Sequence, residues 1–111
     1  MGEHHRPFGR RIGVPTDTAP DGREALPLLR EKAYALVLCD VRMPGLDGPS
    51  LLQQAIAEGL SFPTWVFLTG YSDTPDAALL GLGAWKVLGK PVELDTLLAL
   101  LTEAGIPTSP P

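Results

Sequence analysis

An α/β domain built on a parallel sheet is the fold class that this sequence predicts. Three features point to it: short apolar runs that stop abruptly at polar residues, segments of helical spacing between them, and the alternation of the two along the chain.

The first run, Ala35 to Cys39 (Ala-Leu-Val-Leu-Cys), ends at Asp40. It is too short for an independent helix and lacks polar alternation, which suits a strand buried on both faces. Trp65 to Leu68, between Pro63 and Thr69-Gly70, reads as a second buried strand, and Trp85 to Leu88 as a third, weaker one. Helical spacing covers Arg23 to Lys32, Pro49 to Glu58, Thr74 to Leu82 and Glu93 to Ala104. In the last, Leu94, Leu97, Leu98 and Leu101 recur at three- and four-residue steps, a stripe that reads as core packing. Such an alternation implies right-handed crossovers and a sheet covered on both faces. Ile12, Val14, Thr16 and Thr18 alternate as an edge strand would, the one place where Pro15 is tolerated.

The chain has 111 residues, 44% of them hydrophobic, which suits one domain with a small core. Expected boundaries are a flexible opening at 1–11, a domain at 12–104 and a flexible Pro-rich tail at 105–111. A net charge of −4 disfavours nucleic acid and anionic membranes as partners of this chain alone. No apolar run approaches the roughly 18 residues of a membrane span. The single cysteine, Cys39, excludes an intrachain disulfide, and a reducing cytoplasm is the expected setting.

In open α/β sheets, ligands bind beyond the carboxyl ends of the strands, which directs attention to Asp40, Thr69 and Lys90. A carboxylate, a hydroxyl and an ammonium ending neighbouring strands can converge on a tetrahedral anion, the carboxylate serving as nucleophile and the others engaging its oxygens. Taken singly, each residue is an ordinary turn former or surface charge.

Their surroundings alter that balance. The blocks Asp40-Val41-Arg42-Met43-Pro44-Gly45-Leu46-Asp47-Gly48, Phe67-Leu68-Thr69-Gly70 and Gly89-Lys90-Pro91-Val92, with Asp21-Gly22-Arg23-Glu24-Ala25-Leu26 upstream, stand in a distinctive order. Together they resemble the response-regulator receiver domain of two-component signalling, the chemotaxis-regulator type, over residues 12 to 104. The resemblance implies a flavodoxin-like, doubly wound parallel sheet. It makes Asp40 the phosphoacceptor, Thr69 the switch hydroxyl, Lys90 the ion-pair partner and Lys90-Pro91 a cis peptide. Mg2+ is the cofactor it implies, held by Asp40 and the backbone carbonyl of Arg42. It also implies a signalling phosphoacceptor rather than an enzyme, with at most self-catalysed phosphoryl transfer. The implied partners are a histidine kinase or phosphotransfer protein, and a second copy, met through the family's fourth helix, fifth strand and fifth helix or by exchange of elements.

The pattern departs from the family in two places. Met1 to Ile12 contains no adjacent acidic pair, only Glu3, so an N-terminally truncated receiver with weak metal affinity is expected, lacking the first strand and most of the first helix. Val87 stands where the family usually has an aromatic switch residue. A phosphorylation-independent interaction module, or an inactive fragment, therefore stands as the alternative to a phosphorylatable switch.

Other readings are weaker. Gly83 to Lys90 has the wrong spacing for a phosphate loop, and Pro91 replaces its hydroxyl residue. His4 and His5 read as solvated, Cys39 as an inert core thiol, and Trp65 and Trp85 as packing residues.

Overall fold

The structure, a computed structural model, describes residues 17–43, 45–60, 64–70 and 75–107. The opening segment with Glu3, His4 and His5, and the stretch from Ile12 to Thr16, lie outside those residues, as do the last four of the tail. Asp17 and Thr18 are described and carry no strand. The chain divides into two compact units, the larger being Pro20–Pro91.

Within that unit, helix α1 (Gly22–Glu31) opens on Asp21, whose Oδ1 accepts the Glu24 N–H at 2.9 Å. This satisfies one of the donors that a helix start leaves without an intrahelical partner. Pro27 lies on the exposed side of α1, where its missing N–H interrupts the ladder without ending the helix. Strand β1 (Val37–Asp40) follows, then α2 (Gly48–Ala57), capped by Asp47 Oδ1 accepting from Ser50 N–H at 2.9 Å. At the far end of α2, Gly59 takes φ +69°, and the Leu60 N–H reaches the Ala55 carbonyl at 3.0 Å. That pattern turns the chain sharply toward the next strand.

Strand β2 (Trp65–Thr69), helix α3 (Asp76–Gly81) and strand β3 (Lys86–Gly89) complete the unit. The three strands run parallel in the order β1-β2-β3, with Asp40 opposite Leu68 and Thr69 opposite Gly89. Side chains alternate between faces along each strand. Cys39 of β1 and Trp65 and Phe67 of β2 join Leu29 of α1, Leu51, Leu52 and Ala55 of α2 and Leu79 of α3 in one buried cluster. Trp65 and Phe67 meet edge to face, their ring centroids 6.0 Å apart. Leu38, of opposite parity to Cys39, is 41% exposed.

The third strand begins one residue later than expected. Trp85 donates its N–H to the Trp65 carbonyl at 2.7 Å, but its side chain is exposed, with the Lys86 ammonium 4.9 Å from the ring centroid. Trp85 is therefore a surface residue covered by a cation, not the packing residue that its apolar neighbours suggest.

The second unit contains helix α4 (Leu94–Glu103). Leu97, Leu100 and Leu101 are its buried positions, whereas Leu94 and Leu98 are half-buried. Gly105, at φ +76°, and the Ile106 N–H, 2.9 Å from the Leu101 carbonyl, cap its end.

Candidate functional site

Asp40 is the last residue of β1, Thr69 the last of β2, and Lys90 follows the last residue of β3. Parallel pairing brings all three chain positions to the carboxyl edge of the sheet. The Lys90 Nζ lies 2.8 Å from Asp40 Oδ1, and both side chains stay partly open to solvent, at 45% and 41% exposure. Thr69 meets Lys90 through the backbone, its carbonyl accepting the Lys90 N–H at 2.8 Å. The Lys90–Pro91 peptide is cis.

The loop that leaves Asp40 is held at both ends. Val41 donates its N–H to the Leu68 carbonyl at 3.1 Å, and Gly48 donates to the Val41 carbonyl at 3.0 Å. Gly48 also packs so closely against β1 that a Cβ there would overlap the Asp40 carbonyl oxygen. Asp47, facing the α2 amino end, acts as the helix cap. Arg42, two residues beyond Asp40, is exposed.

Directly before Asp40, Cys39 is buried, with Sγ 3.4 Å from the Asp40 carbonyl oxygen. Burial first, and then the charges of Asp40 and Asp47, push its thiol up to about 12. A thiolate is thus suppressed, as for a thiol shielded in a core.

Sequence reasoning selected Asp40, Thr69 and Lys90 but missed the contacts that hold their surroundings. Arg30 of α1 grips Glu58 at the end of α2 through two hydrogen bonds of 2.7 Å. No local signal marks that pair. The Asp21-x-x-Glu24 spacing, a helix-start signature, could have flagged the first turn of α1.

The family model for the response regulator receiver domain matches residues 8–102. This chain belongs to that family. The chain is 40% identical over 96 residues to the transcriptional regulatory protein ZraR of Escherichia coli, covering 86% of this chain and 22% of that protein. To the transcriptional regulatory protein FixJ of Bradyrhizobium diazoefficiens it is 42% identical over 89 residues, covering 79% of this chain and 42% of that protein. The receiver domain thus spans less than half the length of these relatives. Among solved structures, it resembles the Francisella response regulator 1452 receiver domain at TM-score 0.79 and 27% identity, covering 93% of this chain and 85% of that one. It also resembles the Vibrio cholerae chemotaxis protein CheY4 at TM-score 0.77 and 26% identity, covering 92% and 87%. The flavodoxin-like α/β class follows from these likenesses and from the parallel sheet. No helix among the described residues is long and apolar enough to cross a membrane.

Proposed function

We propose that this receiver domain accepts a phosphoryl group on Asp40 from a phosphohistidine of a kinase or phosphotransfer protein. The observation that carries the reading is the 2.8 Å contact between Lys90 Nζ and Asp40 Oδ1 at the open carboxyl edge of the sheet. One carboxylate oxygen is held by the ammonium while the group remains accessible, as an in-line nucleophile requires.

In the transfer, an Asp40 oxygen attacks phosphorus and the P–N bond breaks. Its electron pair passes to the imidazole nitrogen, which takes up a proton from solvent. The product is an acyl phosphate on Asp40, and water later cleaves it to carboxylate and inorganic phosphate. Lys90 offsets the charge gathered on the phosphoryl oxygens, and the Thr69 hydroxyl serves as a donor to one of them. The reaction is stoichiometric signalling, with any catalysis of transfer supplied by the domain to itself.

Mg2+ is the ion that the family implies, with the Asp40 carboxylate and the Arg42 carbonyl as its ligands. No group of three or more His, Cys, Asp or Glu among the described residues is arranged to hold a metal. A hard cation takes several oxygen ligands, and Lys90 already engages Asp40 Oδ1. The described residues therefore do not make up a magnesium site. The roles given to Asp40, Thr69 and Lys90 rest on their own charges and hydrogen bonds.

The output of such a switch is a change of protein contacts. The family's fourth helix and fifth strand correspond to α3 and β3, and Leu80 on α3 and Trp85 beside β3 are exposed for such contacts. Phosphoramidate, a small donor with a P–N bond, tests the reading. Intact mass should show one added phosphoryl group that hydroxylamine removes and that Asp40→Asn abolishes. A folded chain that gains none would mark a docking module instead.

A further inference from the structure

The loop that begins at Asp40 makes a contact on its outer side that its own sequence does not require. Gly22, the first residue of α1, lies so close to Leu46 that a Cβ would overlap the Leu46 carbonyl oxygen and stand 2.9 Å from its carbonyl carbon. The backbone angles of Gly22 are open to any residue, since its φ is outside the positive range. Space, not conformational freedom, therefore makes glycine necessary. The obstacle is backbone, which cannot swing aside as the end of a flexible side chain can.

The next residue extends the same contact. The Arg23 side chain runs past Gly45, its Nε 3.3 Å and its Cδ 3.5 Å from where a Gly45 Cβ would be. Gly45 itself takes φ +74°, so a side chain there is disfavoured twice over. The first turn of α1 thus sits against two residues of the loop, while Gly48 closes the loop against the Asp40 carbonyl.

We infer that Gly22 and Arg23 are positioning residues for the phosphoacceptor: the amino end of α1 fixes the course of the loop between Asp40 and Asp47, and so the attitude of the Asp40 carboxylate toward a phosphoryl donor. The inference rests on the phosphoacceptor reading. A shift of the loop changes the attack geometry without removing any group that touches the phosphoryl, and rates of positioned reactions fall steeply with small misplacements.

The test compares Gly22→Ala and Arg23→Ala with Arg30→Met, which loosens the other end of α1 without touching the loop. Acyl phosphate formation from phosphoramidate is followed by intact mass, at a temperature where circular dichroism shows each chain folded. Gly22→Ala should lower the maximal rate about tenfold or more, and Arg23→Ala by a smaller factor, while Arg30→Met stays at the unsubstituted rate. A merely structural role would lower the melting temperature and leave the rate of the folded chain unchanged. Folded Gly22→Ala that reacts at the unsubstituted rate overturns the inference. If Gly22→Ala does not fold, an unchanged rate in Arg23→Ala overturns it instead. Absence of any acyl phosphate in the unsubstituted, folded chain removes the phosphoacceptor reading, and this inference with it.

Discussion

Lys90 Nζ and Asp40 Oδ1 meet at 2.8 Å although Asp40 ends β1 and Lys90 follows β3, two strands that β2 separates. The lysine stem passes the carboxyl end of the middle strand, its Cδ 3.9 Å from where a Gly70 Cβ would be, and Thr69, the last residue of that strand, pairs in register with Gly89. In the proposed phosphoryl transfer to Asp40, this cation offsets the charge that gathers as the phosphoryl group arrives.

Lys90→Met should therefore leave the fold in place and slow phosphoryl acceptance by Asp40. Loss of a donor aimed at developing charge costs about 10²-fold to 10³-fold in a closed site. Here both side chains are over two-fifths exposed, which screens the charge, so a loss of about tenfold is expected. Phosphoramidate kinetics followed by intact mass measure it, with Lys90→Arg, which keeps the charge but changes the shape, falling between the two. Equal rates for Lys90→Met and the unsubstituted chain would remove the lysine from the chemistry.

The Arg30–Glu58 bridge sets an acid response elsewhere. Hydrogen bonds from Arg30 and then from Gln54 lower the Glu58 carboxyl from 4.5 to about 2. A depressed folded-state value means that the bridge contributes above the unfolded value and is lost as pH falls from 4.5 toward 2. The pair is exposed to solvent, so the effect should shrink with added salt. Side-chain carboxyl NMR titration of Glu58 checks this, and Arg30→Met should return its midpoint toward 4.5. An unchanged midpoint would show that the bridge does not persist in solution.

Cys39 should be silent toward thiol reagents in the native chain. Burial leads the rise of its thiol to about 12, so the folded state resists ionisation that the unfolded chain undergoes near 9. The sign follows: this thiol leaves stability untouched below about pH 9 and erodes it above, as the unfolded state gains a thiolate the fold refuses. Reaction with a disulfide reagent at pH 8 should be complete in denaturant and limited by opening in buffer. Rapid native labelling would place the sulfur outside the core.

How much of this was legible in the sequence depends on the range of each signal. Strand β2 and helix α2 were readable because Trp65 to Leu68 is a bounded apolar run and Pro49 to Glu58 has helical spacing, both local features. Lys86 blurred the third strand, since a cation inside an apolar run looks like an interruption until its ammonium is seen over the Trp85 ring. Asp40, Thr69 and Lys90 were legible because parallel pairing places strand ends together, a rule of topology. Contacts between α1 and its neighbours were not. Arg30 and Glu58 are 28 residues apart, and Gly22 reads as a turn glycine until Leu46 is seen against it.

Gly48 sets two effects against each other. It is the first residue of α2, and helix propensity alone favours alanine over glycine by about 0.5–1 kcal/mol. A methyl there would instead overlap the Asp40 carbonyl oxygen and lie 3.0 Å from the Phe67 ring and 3.1 Å from the Val41 Cα. Overpacking against a buried ring and a strand costs about 1–3 kcal/mol, so the steric effect should win and Gly48→Ala should destabilise the domain. Gly81, in the last turn of α3, has open space where its Cβ would be, and there alanine should be neutral or stabilising by a few tenths of a kcal/mol. Urea unfolding of the two variants separates the effects, because propensity predicts the same sign at both positions. Opposite signs would establish that Gly48 is glycine because the strand ending in Asp40 leaves no room for a side chain.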